Sequence, residues 1–460
     1  MTKDQLLHAL RDGKPLTLGE QLRLVALLSG PAMLAQLTTI AMEYIDATMV
    51  ARLGAAAQGA IGLVTSTLWL MGGLTSCAAT GFYVLASHKI GAKDFGEAHH
   101  VLRVALPVTL LWSTLLALIG WAIGGSLPRW LGGDEAIWAD ATTYFVIFAS
   151  VLPLFQLNSL ASGMLRSAGN LKAPSYINML MCLLDVLFNY LFIYVFHLGV
   201  AGAALGTAVA AIICVSAMLV LLFRQSEYRA PISESREHGP LGLRGAWLVV
   251  KDALHISAPM GLERIFITGA QVAGTVIVAP LGTVAIAANA LGITLESLCY
   301  MPGYGTGEAA MALVGQSHGA RRRDLVYSFS RITTYLVIGV MGVMGAVLYF
   351  GAPSMMALIR PDADVAALCV EVLRIEAFAE PMYGASIICY YIFVALGDSF
   401  RPAMMNLVSI WAVRISLSIV LAGPMGLPGV WLAMAVELGF RGLIFLIRLY
   451  AKIKPVNASN

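Results

Sequence analysis

The chain contains uninterrupted apolar runs that are long enough to cross a lipid bilayer. Residues 104–123, 180–196 and 332–350 are three such runs, and each is close to the ~20 residues with which a helix spans the hydrocarbon core. A soluble domain carries about 25% charged residues, whereas only 12% of these 460 residues are charged and 59% are hydrophobic. The sequence therefore predicts an all-α membrane protein that crosses the bilayer many times.

Breaks at Gly, Pro and charged residues divide the apolar sequence into twelve predicted transmembrane helices in two sets of six. The predicted spans are 24–50, 57–86, 98–124, 138–165, 173–196, 200–223, 252–279, 285–315, 327–351, 366–396, 401–423 and 428–450. The predicted organisation is a cytoplasmic N-terminal segment (1–23), two six-helix bundles (24–223 and 252–450), a cytoplasmic linker (224–251) and a cytoplasmic tail (451–460).

Basic residues are sorted between the two sides of these spans. With the N-terminus inside, 20 of the 29 Lys and Arg residues fall in cytoplasmic segments or at the cytoplasmic ends of spans, and only Arg52, Arg129 and Arg360 fall outside. This bias predicts that both termini are cytoplasmic. The expected location is the cell (inner) membrane. The near balance of 29 basic and 26 acidic residues gives no indication of nucleic-acid binding. The six cysteines lie in apolar segments without CxxC spacing, which is typical of small core residues.

The two halves of the chain repeat one another at an offset of 228 residues. The matched positions are mostly Pro, Gly and Asn: Pro31/Pro259, Gly54/Gly282, Gly91/Gly319, Pro153/Pro381, Gly169/Gly397, Pro174/Pro402 and Asn178/Asn406. Six helices per copy give both copies the same orientation, which is a parallel internal repeat. Two like bundles favour a transporter that works by alternating access, rather than a rigid duplicated scaffold.

Several segments resemble the multidrug and toxic compound extrusion (MATE) family. Residues 44–54, "YIDATMVARLG", resemble its first helix, residues 198–210, "LGVAGAALGTAVA", its sixth, and residues 301–320, "MPGYGTGEAAMALVGQSHGA", its eighth. The resemblance covers roughly residues 20–450, and "LERIF" at 262–266 is similar to the DinF-like branch. It implies a secondary active antiporter, without a cofactor, that exports amphipathic, cationic compounds in exchange for H⁺ or Na⁺.

Acids, an amide and a hydroxyl meet at one depth of the first bundle. Asp46 lies near the outer end of the first span, and Asn189 and Thr207 lie about seven residues from the outer side in the fifth and sixth. Asp185 is one turn from Asn189 on the same face, and Glu43 shares a face with Asp46. Two carboxyls in a low-dielectric pocket share a proton, or ligate Na⁺ together with the amide and hydroxyl oxygens.

The resemblance also assigns roles within this cluster. Asp46 matches the first-helix acid of the DinF-like cation site, and Thr207 matches its sixth-helix hydroxyl. The family's fifth helix often reads Asn-x-x-x-Asp, whereas this chain reads Asp185-x-x-x-Asn189. The predicted cation-coupling residues are therefore Asp46, Asp185, Asn189, Thr207 and Glu43, and the first four would hold Na⁺ if Na⁺ is the coupling ion. The alternative is that Asp46 and Asp185 only hydrogen-bond within helices.

The second bundle carries further acids. Glu263 and Glu296 are predicted to contact a cationic substrate, because ionisable residues within a span are functional candidates. The alternative is that these acids pair with arginines of the same bundle, namely Arg264, Arg374 or Arg414. Glu437 and Arg441, spaced i,i+4, are predicted to form a structural ion pair.

Pro31 lies fifteen residues before Asp46 and removes a backbone hydrogen bond from the first span. It is a predicted hinge that bends when the protonation of the acid cluster changes. Because Pro259 repeats it in the second half, a purely structural kink is the alternative.

Three other functions fit this sequence less well than efflux does. A flippase for a lipid-linked precursor would need a strongly cationic central cavity, whereas acids balance arginines within these spans. A membrane-embedded enzyme would need a metal cluster or a nucleophile–base pair, and the sequence indicates neither. A passive channel would leave the acid cluster unexplained. Since one chain contains both bundles, the protein is expected to act as a monomer in the lipid bilayer on small amphipathic or cationic substrates.

Overall fold

The computed structural model describes residues 2–229 and 243–454, and in these residues the secondary structure is helical, without a strand. Residue 1, residues 230–242 of the predicted linker and residues 455–460 of the predicted tail lie outside the described residues. The prediction of an all-α membrane protein is confirmed for the part of the chain that is described.

Sixteen α-helices are present in the described residues, with short 3₁₀ and π segments between some of them. The α-helices are α1 (Lys3–Arg11), α2 (Leu18–Ala51), α3 (Ala55–Gly91), α4 (Phe95–Gly124), α5 (Leu127–Trp130), α6 (Trp138–Ser167), α7 (Lys172–Tyr190), α8 (Gly199–Arg224), α9 (Leu243–Val278), α10 (Thr283–Gly319), α11 (Arg323–Ile359), α12 (Ala363–Ala377), α13 (Glu380–Ala395), α14 (Phe400–Val408), α15 (Ser416–Met425) and α16 (Leu427–Lys452). The π segments are Leu191–Val195 and Ser409–Ile415, and the 3₁₀ segments are Glu135–Ile137, Ser226–Tyr228 and Ala279–Leu281.

Among the described residues, eleven helical segments are long and apolar enough to cross a membrane, and a bent pair raises the number to twelve. The bent pair is α12 and α13, which meet at 56° and together occupy the predicted span 366–396. Pro381, in the first turn of α13, has no N–H with which to continue the hydrogen bonding of α12. At the same place α11 approaches closely, since a Cβ on Gly345 would lie 2.6 Å from the Ala377 carbonyl oxygen.

Backbone conformation repeats between the halves at the offset read from the sequence. Left-handed residues occur in matched pairs at the helix ends: Gly54 and Gly282, Lys93 and Arg321, Gly169 and Gly397, and, one residue out of register, Gly199 and Gly426. Gly54 and Gly282 have φ values of 107° and 100° and precede α3 and α10. The predicted internal repeat is therefore confirmed at the level of individual turns.

The chain divides into two compact units. We call Thr38–Gly261 unit N, and Met1–Leu37 together with Leu262–Asn460 unit C. The predicted bundles, 24–223 and 252–450, differ from these units because α2 and α9 each change unit partway along the helix. Glycines explain this packing: a Cβ on Gly305 of α10 would lie 2.6 Å from the Met33 nitrogen, and one on Gly81 of α3 would lie 2.1 Å from the Ala253 carbonyl oxygen.

A short amphipathic helix precedes the first span and packs on unit C. Thr2 and Gln5 form a capping box at the start of α1, and Leu6 and Leu10 on its inner face are fully buried. At its end the Arg11 Nε donates to the Gln316 Oε1 at 3.1 Å, and this hydrogen bond is buried. The polar N-terminal segment is thus attached to the last turn of α10.

Asp398, in the turn between α13 and α14, joins that turn to the end of α16. Its Oδ2 accepts hydrogen bonds from Arg448 Nη2 and Lys452 Nζ, each at 2.6 Å. Burial alone raises the pKa of Asp398, but the hydrogen bonds from Lys452 and Arg448 outweigh burial, so the pKa lies below its usual value. The ionised Asp398 therefore stabilises the folded state.

We expect Asp398→Asn to lower the free energy of unfolding at pH 7 by up to about 1 kcal/mol, as for partly exposed ion pairs. A carboxyl whose pKa is depressed on folding stabilises above its unfolded pKa of ~3.9, and this stabilisation is lost as the pH falls through the folded value. Thermal unfolding in detergent should show the wild type and the variant converging below that pH. The exposed acid Asp364 provides the control variant Asp364→Asn, and a difference that does not change with pH would contradict the prediction.

Candidate ion-coupling site

Three helices of unit N bring the predicted coupling residues together. Asp46 lies near the end of α2, Asp185 and Asn189 lie one turn apart in the last two turns of α7, and Thr207 lies in α8. Residues spaced i,i+4 share a helix face, so the fifth-span acid and amide both face α2. Asp185 is fully buried, Asn189 is 2% exposed and Asp46 is half-buried.

The Asn189 amide bridges the two carboxyls. Its Nδ2 donates to Asp46 Oδ1 at 3.0 Å and to Asp185 Oδ2 at 3.1 Å. Asp185 also interacts with the Asp46 carboxyl and with the Thr207 hydroxyl. The acid and the amide of α7 are in the reverse of the usual family order, yet both positions reach Asp46. One amide between a buried and a half-buried carboxyl is an arrangement that a single positive charge completes.

Close packing of α8 on α7 fixes the orientation of this amide. A Cβ on Gly206 would lie 2.0 Å from Asn189 Oδ1 and 2.7 Å from the Asn189 backbone nitrogen. The amide oxygen therefore faces the Cα of Gly206, where a weak C–H···O contact suits an acceptor and not an N–H donor. One turn earlier, a Cβ on Gly202 would lie 2.8 Å from the Phe192 carbonyl group. Small residues four apart are what allow two membrane helices to approach so closely.

Two buried acceptor atoms at this site have no hydrogen-bond donor among the described residues. They are Asp185 Oδ1 and Asn189 Oδ1. Buried polar atoms are nearly always hydrogen-bonded. Of these two, Asn189 Oδ1 faces Gly206, whereas Asp185 Oδ1 is the carboxyl oxygen that could accept a proton. Thr207 is partly buried, and its hydroxyl donates to the Ala203 carbonyl at 3.2 Å. Glu43 is exposed and interacts with Asp46 through charge only.

Sequence reasoning missed an aromatic residue at this site. Tyr144 of α6 is partly buried and interacts electrostatically with both Asp46 and Asp185. It also packs on the cluster of Val50, Ile193 and Ala203. An aromatic residue in an apolar span carries no periodic or spacing signal, so only the folded structure reveals this electrostatic interaction.

The second predicted set of acids lies in unit C. Glu263 of α9 is 4% exposed, and it accepts hydrogen bonds from the Tyr390 hydroxyl and, at 2.6 Å, from Asn406 Nδ2. Glu296 of α10 is 7% exposed and interacts electrostatically with Arg414 and Arg441. The predicted Glu437–Arg441 ion pair is confirmed, with Arg441 Nε 3.1 Å from Glu437 Oε1.

Glu296 belongs to a larger buried acid cluster that sequence reasoning did not assemble. Glu376 at the end of α12 and Glu380 at the start of α13 are both fully buried and interact with Glu296. All four of their carboxyl oxygens lack a hydrogen-bond partner among the described residues. The break between α12 and α13 turns both acids inward, and a break of this kind is not readable from spacing.

The two carboxyl–amide pairs are related through the internal repeat. Subtracting the 228-residue offset places Glu263 at position 35 and Asn406 at position 178, which are 11 residues before Asp46 and Asn189 respectively. Eleven residues are about three helical turns, or ~16 Å, so both pairs use the same faces of equivalent helices. Each half thus contains a hydrogen-bonded carboxyl–amide pair, and the two pairs lie three turns apart along equivalent helices.

Comparison with known proteins identifies the family. The MatE family model matches the chain twice, over residues 31–191 and 259–420, and the two matches begin 228 residues apart. This chain belongs to the MATE family. MATE proteins are membrane transporters and not enzymes, and the flippase alternative is not favoured by these matches.

Related sequences match this chain over most of its length. The chain is 24% identical over 459 residues to a "Probable multidrug resistance protein NorM" of Bacillus cereus, covering 96% of this chain and 98% of that protein. It is 21% identical over 422 residues to the "Uncharacterized transporter YisQ" of Bacillus subtilis, covering 90% of each. It is 26% identical over 426 residues to "Multidrug and toxin extrusion protein 1" of Mus musculus, covering 90% of this chain and 72% of that protein.

Solved structures show the same MATE fold. A point mutant of the Vibrio cholerae MATE transporter VcmN superposes with a TM-score of 0.88 at 18% identity, covering 94% of this chain and 97% of that chain. VcmN in a bent form gives a TM-score of 0.85 at 18% identity with the same coverage. A MATE protein in a straight conformation gives a TM-score of 0.87 at 18% identity, covering 97% of this chain and 98% of that chain.

We expect Gly206→Ala to destabilise this MATE protein by about 1–3 kcal/mol, the usual cost of overpacking. The new methyl group would meet both Asn189 Oδ1 and the α7 backbone, so α8 must move away from the bridging amide. Thermal unfolding in detergent measures the loss. Gly339→Ala is the control, because a Cβ on Gly339 of α11 meets nothing within 4 Å. Equal stability of the two variants would contradict this account of the packing.

Proposed function

We propose that this protein is a secondary active efflux antiporter, which exports amphipathic, cationic compounds in exchange for H⁺ or Na⁺. The observation that carries the proposal is the Asn189 amide hydrogen-bonded to both Asp46 and Asp185 in the interior of unit N. Membership of the MATE family supports a transport function, and the Asp46–Asn189–Asp185 cluster is a group whose charge can change during the transport cycle. Glu43, exposed near Asp46, would add negative charge that attracts the ion.

Coupling between ion binding and the transport cycle follows from the free-energy cost of placing charged carboxylates in a low-dielectric environment. Two carboxyls that share one amide in a low-dielectric site do not both stay ionised without a bound cation. Ion binding therefore changes the charge of the cluster by one unit, and two conformations that differ in their exposure of the cluster bind the ion with different affinities. Such differential affinity is what shifts a conformational equilibrium. Solved MATE structures in a bent form and in a straight conformation support two conformations of this fold.

The amide orientation supports H⁺ as the coupling ion. With Nδ2 directed at both acids, Asn189 offers a donor to the centre of the cluster and not a ligand. One carboxylate and one protonated carboxyl satisfy this geometry. Na⁺ coupling is the alternative: Asp46, Asp185, Asn189 and Thr207 would then be the oxygen ligands, after rotation of the amide away from its contact with Gly206.

For the substrate we propose contact with Glu263 or Glu296 of unit C. Buried carboxyls attract organic cations, and methionine and aromatic side chains suit varied apolar shapes. Both oxygens of Glu263 accept hydrogen bonds from Tyr390 and Asn406, so a substrate must compete with these donors. Glu296 lies with Glu376 and Glu380, whose carboxyl oxygens have no hydrogen-bond partner among the described residues. Glu296 and its neighbours should therefore attract a cation more strongly than Glu263 does.

The remaining proposals concern the chain in its membrane. The location we propose is the inner membrane. The bias of basic residues supports cytoplasmic termini, and the presence of both repeats in one chain supports a monomer. Pro31 lies inside α2, four residues beyond Leu27, whose carbonyl is left without its helical N–H partner. We propose that α2 bends at this position when the charge at Asp46 changes.

We expect Asp46→Asn to lose gradient-driven transport by on the order of tenfold or more, because a neutral amide cannot exchange an ion with the medium. The measurement is ethidium efflux from proteoliposomes under an imposed pH or Na⁺ gradient, and the gradient that drives the wild type identifies the ion. Asp140→Asn, which changes an exposed acid at the start of α6, is the control and should transport like the wild type. Full transport by Asp46→Asn would refute the proposed coupling site.

The reversed order on α7 allows a second test. Asp185→Asn alone should abolish coupling, whereas the double variant Asp185→Asn/Asn189→Asp keeps one acid and one amide on the same face and should recover most of it. The recovery follows because both positions contact Asp46 directly or through the amide. The same efflux assay measures it, and a double variant as inactive as the single one would show that the two positions are not equivalent.

A further inference from the structure

A groove of about 710 Å³ lies in unit C beside the break between α12 and α13, and α11 and α16 form its other walls. Its lining is mostly apolar, with Ile375, Met382, Leu432 and Val436 among the wall residues. Phe378, at the break itself, is 77% exposed. The groove is separate from Asp46 and its partners, which belong to unit N.

Two oppositely charged side chains lie in this groove. Glu371 and Arg374 are three residues apart on α12 and both are exposed. The Arg374 guanidinium carbon lies 5.3 Å from the centroid of the Tyr349 ring, and its Nε donates to the Tyr349 carbonyl at 3.4 Å. The ring and the carbonyl contact the guanidinium through its central carbon and Nε, so these two contacts do not use its terminal nitrogens.

The depth of Arg374 in the bilayer follows from α11. Arg331 packs against the rings of Tyr327 and Tyr450, each about 5.1 Å away, an arrangement typical of one membrane interface. Tyr349 follows Arg331 by 18 residues, or ~27 Å of helix, which is close to the ~30 Å thickness of the hydrocarbon core. Tyr349 and Arg374 therefore lie near the opposite interface, and α11 continues for ten residues beyond Tyr349 before it ends at Ile359.

From this interface the groove continues toward the membrane interior. Met382 lies eight residues beyond Arg374 on the continuing chain, and α16 runs inward from Leu432 to Gly439 along the same wall. The groove therefore has a charged end at the level of lipid head groups and an apolar remainder at the level of acyl chains. This polarity matches one kind of molecule, a membrane phospholipid.

We propose that the groove binds a zwitterionic, amine-bearing phospholipid, with its phosphate on Arg374, its amine on Glu371 and one acyl chain along Met382 and Val436. Guanidinium groups bind phosphate with two parallel hydrogen bonds, and a carboxylate one turn away suits the ammonium group. The bound lipid covers Phe378 and the break, on the side of α12 opposite the buried Glu376. It thereby closes the break against the bilayer.

The test is native mass spectrometry of the full-length, delipidated protein titrated in detergent with phosphatidylethanolamine or phosphatidylglycerol. Arg374→Gln should weaken first-lipid binding by roughly tenfold or more, as expected for the loss of the two charge-assisted hydrogen bonds to the phosphate. Glu371→Gln should remove the preference for phosphatidylethanolamine and keep the binding of phosphatidylglycerol. Gly439→Phe should weaken binding of both lipids with the charges intact, since a Cβ on Gly439 meets nothing within 4 Å and the ring would fill the groove.

Arg129→Gln is the matched control, because Arg129 of unit N also stacks on an aromatic ring, at 5.3 Å from the centroid of Trp138, away from this groove. It should bind lipid like the wild type. The proposal is overturned if Arg374→Gln and Gly439→Phe both retain wild-type lipid binding, or if Arg129→Gln loses as much as Arg374→Gln, which would indicate only general annular lipid. Ethidium transport is a separate readout, so failure here leaves the proposed antiport untouched.

Discussion

In hydrocarbon a backbone N–H has no water to bond, so it must find an acceptor within the protein. This constraint explains why every apolar run in the described chain is helical, and why departures from the α-helix are small and local. The π segment at Leu191–Val195 and the break at Phe378–Ala379 both lie where another helix packs closely. Gly202 and Gly345 provide that approach, because a side chain at either position would separate the helices.

The low polarity of the membrane interior also determines how the buried acids are paired. In water two neighbouring carboxylates are screened, but in a helical bundle each charge needs a partner of its own. In unit N the partner is an amide that serves two acids at once. In unit C, Glu263 has a phenol and an amide, Glu437 has an arginine, and Glu376 and Glu380 have neither. These differences in pairing, rather than the number of acids, distinguish the two units.

The helices, the internal repeat and most of the acid cluster of unit N can be predicted from the sequence, because the signals involved are local or periodic. Apolar length gives the spans, Pro and Gly spacing gives the repeat, and helix depth brings Asp46 and Asn189 to one level. The division of α2 and α9 between units, the docking of α1 and the inward turn of Glu376 are not readable. These features depend on which helix packs against the backbone at a glycine. They also depend on contacts between residues hundreds of positions apart, such as Arg11 and Gln316. The electrostatic interaction of Tyr144 with the acids cannot be predicted from the sequence for the same reason.

The displacement between the Asp46–Asn189 and Glu263–Asn406 pairs bears on how a duplicated transporter diverges. A contact between two helices is kept only if both residues move along their helices by the same distance and return to the same face. Eleven residues meet that requirement almost without rotation, since three turns of helix contain about 10.8 residues. A duplicated gene can therefore relocate a polar contact across half a membrane by exchanging a few side chains, while the backbone stays unchanged. The helical repeat thus restricts such a contact to positions separated by whole numbers of turns, and the two halves of this chain use two of these positions.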